Sequence, residues 1–243
     1  TLERFVGVPR MTAPACWLAD ALAFSRQTTI KQLQRHEQGW QLYSLEHGVL
    51  PERFDAIVLA LPAPQAATLL QQASPALVQL AALAGSAVMR GSWALMLRFA
   101  TPLELPFDAA FVNQGPLRWI ARDSSKPGRS GAETWLLHAN AAWSEAHLAV
   151  DAERVADALL HAFAQLGGAT PQAWTAHRWL YADSEPALDI ACAWKAEHSL
   201  GLCGDWLNGG KVEGAWLSGR ALAQQIVHSF APVQAAPGAD GTP

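Results

Sequence analysis

The chain has 243 residues, of which 51% are hydrophobic and 16% charged, and its net charge is −4. This length can bury one large core or two moderate ones, and the sequence has no basic cluster of the kind that binds nucleic acid or an anionic membrane surface. No apolar run approaches the roughly 20 residues that cross a bilayer, so we expect neither nucleic acid nor membrane as a partner.

The first predicted elements are a short helix, a hairpin and one apolar strand. A helix is expected from Thr12 to Leu22, with Thr12 as its cap. Strands over 29–34 and 40–45 form the hairpin, and the apolar stretch 54–61 is a further strand that ends at a proline. Because this stretch is apolar at nearly every position, we predict that it is a parallel strand buried on both faces. A helix over 65–72 follows it.

From residue 93 the pattern changes to strands that are typical of an antiparallel sheet. They are predicted over 93–99, 109–112, 117–122, 134–139 and 177–181. One helix interrupts them: Asp151 is expected to cap residues 152–166, whose apolar stripe ends before Gly167 and Gly168.

The stretch GLCGDWLNGGKVEGAWLSGR at 201–220 predicts an anion site. It has the pattern of a strand over 200–203, a turn at Gly204 and Asp205, and a helix from Val212 with small residues on one face. The free amides and positive dipole end of such a helix attract a pyrophosphate or an electron-rich ring, and the Asp205 carboxylate suits a sugar or ribityl hydroxyl. The alternative is a C-terminal helix with a small-residue face and nothing bound.

These patterns predict an α/β fold in two parts. Residues 24–66 and 196–230 form a discontinuous, Rossmann-like, three-layer nucleotide-binding domain, and residues 1–23 and 67–195 form an inserted β-rich substrate domain. The tail over 231–243 is predicted to be disordered. Three cysteines without a C-x-x-C pair favour a reducing cytoplasm and argue against a disulfide framework or a metal site.

Several strings resemble one known family. The C-terminal GDW and GxVEGAWLSG, together with RFVGVPRMT, FDAIVLALPAPQAATLL, LRWIARDSSKPGR, TWLLHANAAWS and HRWLYA, are similar to FAD-dependent amine-oxidase-like proteins and specifically to their bacterial renalase-like branch. The resemblance implies non-covalently bound FAD and a dihydronicotinamide dinucleotide substrate, reduced at the wrong ring carbon. It also implies oxygen as the final acceptor of the hydride electrons, with hydrogen peroxide as the product.

The resemblance also implies site residues. His138 faces the flavin and the substrate ring, Asp123 stands in the catalytic position where the family usually has asparagine, and Trp119 and Trp179 border the substrate pocket. Arg10 stands where the related motif has glycine. The cofactor contacts implied are Ile30, Gly204, Asp205, Val212, Glu213, Gly214, Ala215 and Ser218.

One expected motif is absent. None of the 18 glycines forms the G-x-G-x-x-G spacing that opens a dinucleotide-binding fold. We therefore expect that an N-terminal βαβ unit is missing from this chain, and that the chain alone binds FAD weakly or not at all.

Two other functions remain open. One is a true flavin amine oxidase, which the presence of only Tyr43 and Tyr181 disfavours, because such enzymes commonly flank the amine with a pair of tyrosines. The other is a non-catalytic binding module that retains the substrate sheet without FAD.

Overall fold

The computed structural model describes residues 5–231, and the predicted tail over 231–243 lies outside them apart from its first residue. The helices are α1 (Ala13–Ala19), α2 (Ala63–Ala73), α3 (Val78–Ser86), α4 (Ala141–Ala146), α5 (Ala152–Ala164) and α6 (Val212–Phe230). The strands are β1 (Ile30–His36), β2 (Gly39–Ser44), β3 (Gly48–Val49), β4 (Ile57–Leu59), β5 (Met89–Phe99), β6 (Ala109–Phe111), β7 (Leu117–Arg122), β8 (Glu133–Ala139), β9 (Ala173–Ser184), β10 (Ala193–Lys195) and β11 (Leu200–Leu202). Among the described residues, no helix is both long and apolar enough to cross a membrane.

The chain forms two compact units. The sheet unit contains the described residues up to Arg26 together with Arg90–Asp183, and the mixed unit contains Gln27–Met89 and the described residues from Ser184 onward. These divisions differ from the predicted domain bounds at 66/67 and 195/196. The first predicted bound falls inside α2, whose Ala66 and Leu70 lie in one core, and the second falls after β10, which pairs with β11. Which unit serves the cofactor and which the substrate stays a prediction.

The sheet unit contains a five-stranded sheet in the order β6-β7-β8-β5-β9. The pairs β6–β7, β7–β8 and β8–β5 are antiparallel, which confirms the predicted type of sheet. Successive side chains of a strand point to opposite faces. Along β8, Trp135 and Leu137 are buried against the core, whereas Leu136 and His138 are half-exposed on the other side. We call this second side the open face of the sheet.

Helix α5 covers the buried face. The Asp151 carboxylate accepts a hydrogen bond of 2.9 Å from the Arg154 amide, as predicted for the cap. Val155, Leu159 and Phe163 are completely buried in the core of this unit. The helix ends at Ala164, however, so Leu166 lies beyond it and is not part of the buried stripe.

The mixed unit joins a three-stranded hairpin sheet, β1-β2-β3, to a sheet with the order β10-β11-β4. The hairpin lies where the sequence predicts it. Strand β4 is parallel to β11, also as predicted, but it is only three residues long and Val58 at its centre is 44% exposed. The prediction of burial on both faces is therefore wrong, because the described residues cover the Val58 side of the strand only in part.

Two helices differ from the predictions in instructive ways. Helix α1 begins after Thr12 but ends at Ala19, short of Leu22, and it buries none of its side chains. Most helix stability in proteins comes from packing an apolar face, so nothing extends this one. Helix α2 contains the predicted range 65–72 and packs its apolar face into the core of the mixed unit.

The three cysteines are all free. Cys16 is exposed on α1, whereas Cys192 and Cys203 are buried in the mixed unit beside Leu222 of α6. Burial raises the pKa of both buried thiols above the ordinary value.

Candidate functional site

The predicted anion site lies where β11 runs into α6, and we call residues 204–214 the β11–α6 corner. Its first residue, Gly204, has φ 159°, and a Cβ there would lie 2.8 Å from the indole nitrogen of Trp206. The Gly204 amide donates to the Ser218 hydroxyl (3.0 Å), and this hydroxyl donates to the Ala191 carbonyl. Ser218 is completely buried, and its single proton is used. Its side chain therefore fixes the turn rather than reaching a ligand.

The first turn of α6 presents unused backbone donors. The Ala215 amide is the first to be used within the helix, since it donates to the Lys211 carbonyl (2.9 Å). The amides of Val212, Glu213 and Gly214 precede it and have no acceptor within the helix. Val212 is 90% exposed, which leaves this end of the helix open to a ligand.

Gly214 is a glycine for a structural reason. A Cβ at this position would collide with the backbone carbonyl of Asn208, and the Asn208 side chain in turn donates to the Gly214 carbonyl (3.2 Å). The small-residue face of α6 therefore packs against the corner itself. Ala215 is half-buried beside it, and Glu213 is exposed in the first turn, where its charge complements the helix dipole.

Asp205 supplies a free acceptor beside these donors. It begins a 3₁₀ turn over Asp205–Leu207, and its carbonyl accepts hydrogen bonds from the amides of Asn208 (2.9 Å) and Gly210 (2.8 Å). Its half-buried carboxylate has no partner among the described residues. A free carboxylate beside free amides is the set of groups that a flavin with a ribityl chain requires, so these residues fit FAD.

Ile30, also predicted to contact the cofactor, is the first residue of β1. It lies opposite Ser44, and its half-buried side chain packs against the core of the mixed unit. Its side chain thus has a packing role, and a contact through its backbone stays a prediction.

The open face of the sheet unit brings other predicted residues together. Trp119 of β7 lies directly opposite His138 of β8, and Ala94 of β5 lies opposite His138 on the other side. Phe111 of β6 extends the row, with its ring centroid 4.7 Å from that of Trp119. The predicted catalytic histidine and one predicted substrate tryptophan are therefore neighbours on one surface.

His138 is held in its neutral form. Burial lowers the pKa of His138 below its ordinary value, and the positive charges of Arg118 and Lys126 lower it further. Among the described residues its ring makes no hydrogen bond, so both ring nitrogens remain available to a ligand.

Trp179 lies on the same open face as His138. On β9, Ala176 packs into the core and the Arg178 guanidinium lies over the ring of the buried Trp93. Because side chains alternate along a strand, Trp179 points to the other face, where its ring meets that of His177 at 4.3 Å. Strand β5 separates it from β8.

Asp123 follows β7 and is part of an ionic loop. Its carboxylate accepts a hydrogen bond of 2.6 Å from the Lys126 ammonium and lies 3.8 Å from the Arg129 guanidinium. Arg129 also donates to the Gly7 carbonyl (2.9 Å). These partners give Asp123 a role in ordering the loop, and its catalytic role stays a prediction. Arg10 is exposed in the same unit.

A cleft of about 480 Å³ runs along the open face. Asp123 is the one predicted site residue in its wall, and the sequence reasoning missed the remaining members, which come mainly from β5, β8 and β9. The lining residues used below are Met96, Arg98, Thr134, Leu136 and Thr175. Alternation along β5 and β8 was a usable signal for these positions, but it does not reveal which face stays open.

In the part of the chain that the structure describes, no group of three or more histidine, cysteine, aspartate or glutamate side chains could hold a metal ion.

The fold is the FAD-binding amine oxidase fold. A structure assigned as protoporphyrinogen oxidase from Exiguobacterium sp. 255-15 aligns with a TM-score of 0.68 at 14% identity, over 90% of this chain and 51% of its own. Cyclohexylamine oxidase from Brevibacterium oxydans IH-35A aligns with a TM-score of 0.68 at 17% identity, over 90% of this chain and 52% of its own. A triple mutant of putrescine oxidase with redesigned cofactor binding aligns with a TM-score of 0.58 at 12% identity, over 83% of this chain and 48% of its own. The chain thus spans about half the length of these proteins.

The sequence profile described as flavin containing amine oxidoreductase matches residues 18–227. The chain therefore belongs to the flavin-containing amine oxidoreductase family, and its cofactor is FAD. The predicted fold class and cofactor are confirmed.

Proposed function

We propose that the chain carries the substrate face and FAD-binding residues of an oxidase that acts on isomeric dihydronicotinamide dinucleotides, the 2- or 6-dihydro forms of NAD(P). When bound, FAD would accept the hydride and pass the electrons to oxygen, giving hydrogen peroxide. The remaining steps are the binding and orientation of the substrate by the residues of this chain.

The observation that carries the proposal is the positive charge of the open face. Arg98 is exposed in the cleft and its guanidinium has no partner among the described residues. The two positive charges of Lys126 and Arg129 exceed the single negative charge of Asp123. The positive charges of Arg118 and Lys126 also lower the pKa of His138. Such a face attracts an anionic dinucleotide and disfavours a protonated amine.

The neutral His138 is consistent with this substrate. A dihydropyridine ring becomes aromatic as it loses hydride, so the protein need not supply a base and has mainly to hold the ring in place. Trp119 and Trp179 offer flat apolar surfaces for this purpose on the open face. The histidine ring can then orient the carboxamide of the substrate as a hydrogen-bond partner.

The β11–α6 corner would serve the cofactor. Asp205 would accept a hydrogen bond from a ribityl hydroxyl, and the free amides of Val212–Gly214 would stabilise negative charge on the reduced ring system. Ser218 contributes by holding Gly204 in place.

One observation favours a second candidate, a flavin amine oxidase. The rings of Phe111 and Trp119 lie 4.7 Å apart and are tilted by 57°, and aromatic faces of this kind can flank a cationic amine.

The test begins with FAD binding, which is measured by the quenching of tryptophan fluorescence. Asp205→Asn should weaken FAD binding about tenfold, since a hydrogen bond to a charged group is lost. The matched control is Asp157→Asn on the exposed side of α5, which should bind FAD as the unmodified chain does. FAD is added in large excess, because the chain alone is expected to bind it weakly, and absence of binding even then would favour the non-catalytic module.

The FAD-loaded protein is then mixed anaerobically with 6-dihydroNAD or with a panel of primary amines. We expect the dinucleotide to bleach the flavin absorbance and the amines to leave it unchanged. Bleaching by amines alone would replace the proposed function with that of an amine oxidase.

A further inference from the structure

The cleft on the open face contains an arginine without a structural task. Arg98 of β5 lies directly opposite Thr134 of β8, and its guanidinium has neither a hydrogen bond nor an ion pair among the described residues. Thr175 of β9 lines the same cleft. An arginine and two hydroxyls together form a set that suits a phosphate.

The carboxylate in the wall does not cancel this charge. Asp123 lines the cleft, but Lys126 contacts its carboxylate at 2.6 Å and Arg129 lies 3.8 Å away. Two cations thus face one anion, and Arg98 adds a further positive charge. The cleft is therefore cationic, and its volume of about 480 Å³ lies within the usual range for small-molecule sites.

The spacing along the strands matches the sequence of groups in a dinucleotide. Trp119 and His138 form the first pair of residues across the sheet. Two residues further along β8, Leu136 lies opposite Met96. Two residues beyond that, Thr134 lies opposite Arg98. At the usual rise of a strand, these rows lie about 7 Å and about 13 Å from His138. A nicotinamide ring at His138 would place its ribose over Met96 and its pyrophosphate at Arg98.

We propose that this cleft binds the pyrophosphate of the substrate, with the Arg98 guanidinium as its charged partner. This inference rests on the proposed function, because it takes the substrate to be a dinucleotide. It makes Arg98 the residue that distinguishes a dinucleotide from a smaller dihydropyridine.

The test uses ADP-ribose, which has both phosphates and the adenine but no nicotinamide ring. Binding to the full chain is measured by isothermal titration calorimetry in excess FAD, so that the cofactor site does not take the probe. The variants are Arg98→Gln and Arg98→Lys. Arg154→Gln on the exposed side of α5 is the matched control, and circular dichroism with thermal melting checks that each variant folds.

We expect Arg98→Gln to weaken ADP-ribose binding at least tenfold, because a charge-assisted hydrogen bond is lost. Arg98→Lys should weaken ADP-ribose binding less, since lysine keeps the positive charge but lacks the paired N–H donors of the guanidinium. Binding of adenosine, which lacks phosphate, should be the same in Arg98→Gln as in the unmodified chain. Equal ADP-ribose affinity in folded Arg98→Gln and in the unmodified chain would overturn the assignment.

The outcomes also separate this inference from the proposed function. Oxidation of a dihydronicotinamide dinucleotide with an affinity that does not depend on Arg98 would remove the cleft assignment and leave the function standing. ADP-ribose binding that depends on Arg98, in a protein whose flavin no dihydronicotinamide reduces, would support the cleft and contradict the function.

Discussion

Glu133 holds the loop that contains Asp123 against the sheet. Its side chain is 7% exposed and accepts hydrogen bonds from the Trp135 indole (2.8 Å) and the Ser124 hydroxyl (2.9 Å), with the Arg122 guanidinium at 3.3 Å. Burial by itself raises the pKa of Glu133. The hydrogen bonds and the Arg122 charge outweigh it, and the pKa lies below the ordinary value of a glutamate.

This lowered pKa predicts an acid-dependent stability. The ionised carboxylate stabilises the folded state at any pH above the ordinary glutamate value of about 4.3, and the contribution is lost as the pH falls below it. Glu133→Gln should therefore lower the free energy of unfolding by about 2 to 3 kcal/mol at neutral pH and by less in acid. Urea unfolding over this pH range measures both effects. Glu104→Gln, at an exposed position, is the control, and a pH dependence as steep in Glu133→Gln as in the unmodified chain would contradict the prediction.

His138 allows a test of the chemistry at a single side chain. Because its pKa is lowered, it is neutral at pH 7 and becomes charged only on acidification. With a dihydronicotinamide substrate that needs no base, His138→Gln should change the rate of flavin reduction less than about tenfold, whereas loss of a general base costs about 100-fold or more. Anaerobic stopped-flow absorbance measures the rate, with the exposed His161→Gln as the control. A loss of 100-fold would show that a proton must be removed.

At the scale of single residues, the sequence and its resemblance predicted His138 and Trp119, which the sheet brings together. They did not predict Arg98, because it belongs to no matching string and only the paired strands show which positions share the cleft. Ser218 was predicted as a cofactor contact, but its hydroxyl is used within the corner. A local pattern does not reveal which distant backbone groups take up a hydroxyl.

Helix α6 contains two glycines with opposite roles. A Cβ at Gly214 would collide with the Asn208 carbonyl, whereas a Cβ at Gly219 would meet nothing within 4 Å. Both positions lie in the same helix, so they share the same intrinsic preference for alanine.

This contrast predicts that alanine at the two positions changes the free energy of unfolding in opposite directions. Gly214→Ala should lower the free energy of unfolding by about 1 to 3 kcal/mol through overpacking, and Gly219→Ala should raise it by about 0.5 to 1 kcal/mol. Urea unfolding followed by circular dichroism measures both. Stabilisation by both substitutions would mean that the corner yields to the added methyl group.

Two elements were predicted with bounds close to those in the structure. The prediction of a strand over 117–122 matches β7, and that of a helix over 65–72 lies within α2. The stretch 54–61 was predicted less well because a continuous apolar run does not show how many strands flank it. In the structure β4 pairs with β11 and leaves Val58 uncovered.

At the scale of the whole molecule, each unit has its own apolar core. Leu159 lies completely buried in the sheet unit, and Leu70 lies completely buried in the mixed unit. Composition and length allowed either one core or two. The strand pairings that close each core, such as β11 with β4, join residues far apart in sequence, and local patterns do not show such pairs.

Separate cores predict separate local opening. Leu159→Ala and Leu70→Ala should each cost about 2 to 5 kcal/mol, since each leaves a cavity in a packed core. Amide hydrogen exchange should then rise mainly within the altered unit, because exchange follows the free energy of local unfolding. An equal rise in both units for either substitution would show that they unfold as one.

The contrast among the thiols has a practical consequence for handling the protein. Cys16 is exposed, while Cys192 and Cys203 are buried and burial raises the pKa of both of these thiols. An alkylating reagent should add one mass increment to the native chain and three to the urea-denatured chain. If the chain produces hydrogen peroxide as proposed, burial would also protect the sulfur atoms of Cys192 and Cys203, beside the β11–α6 corner, from oxidation by that peroxide.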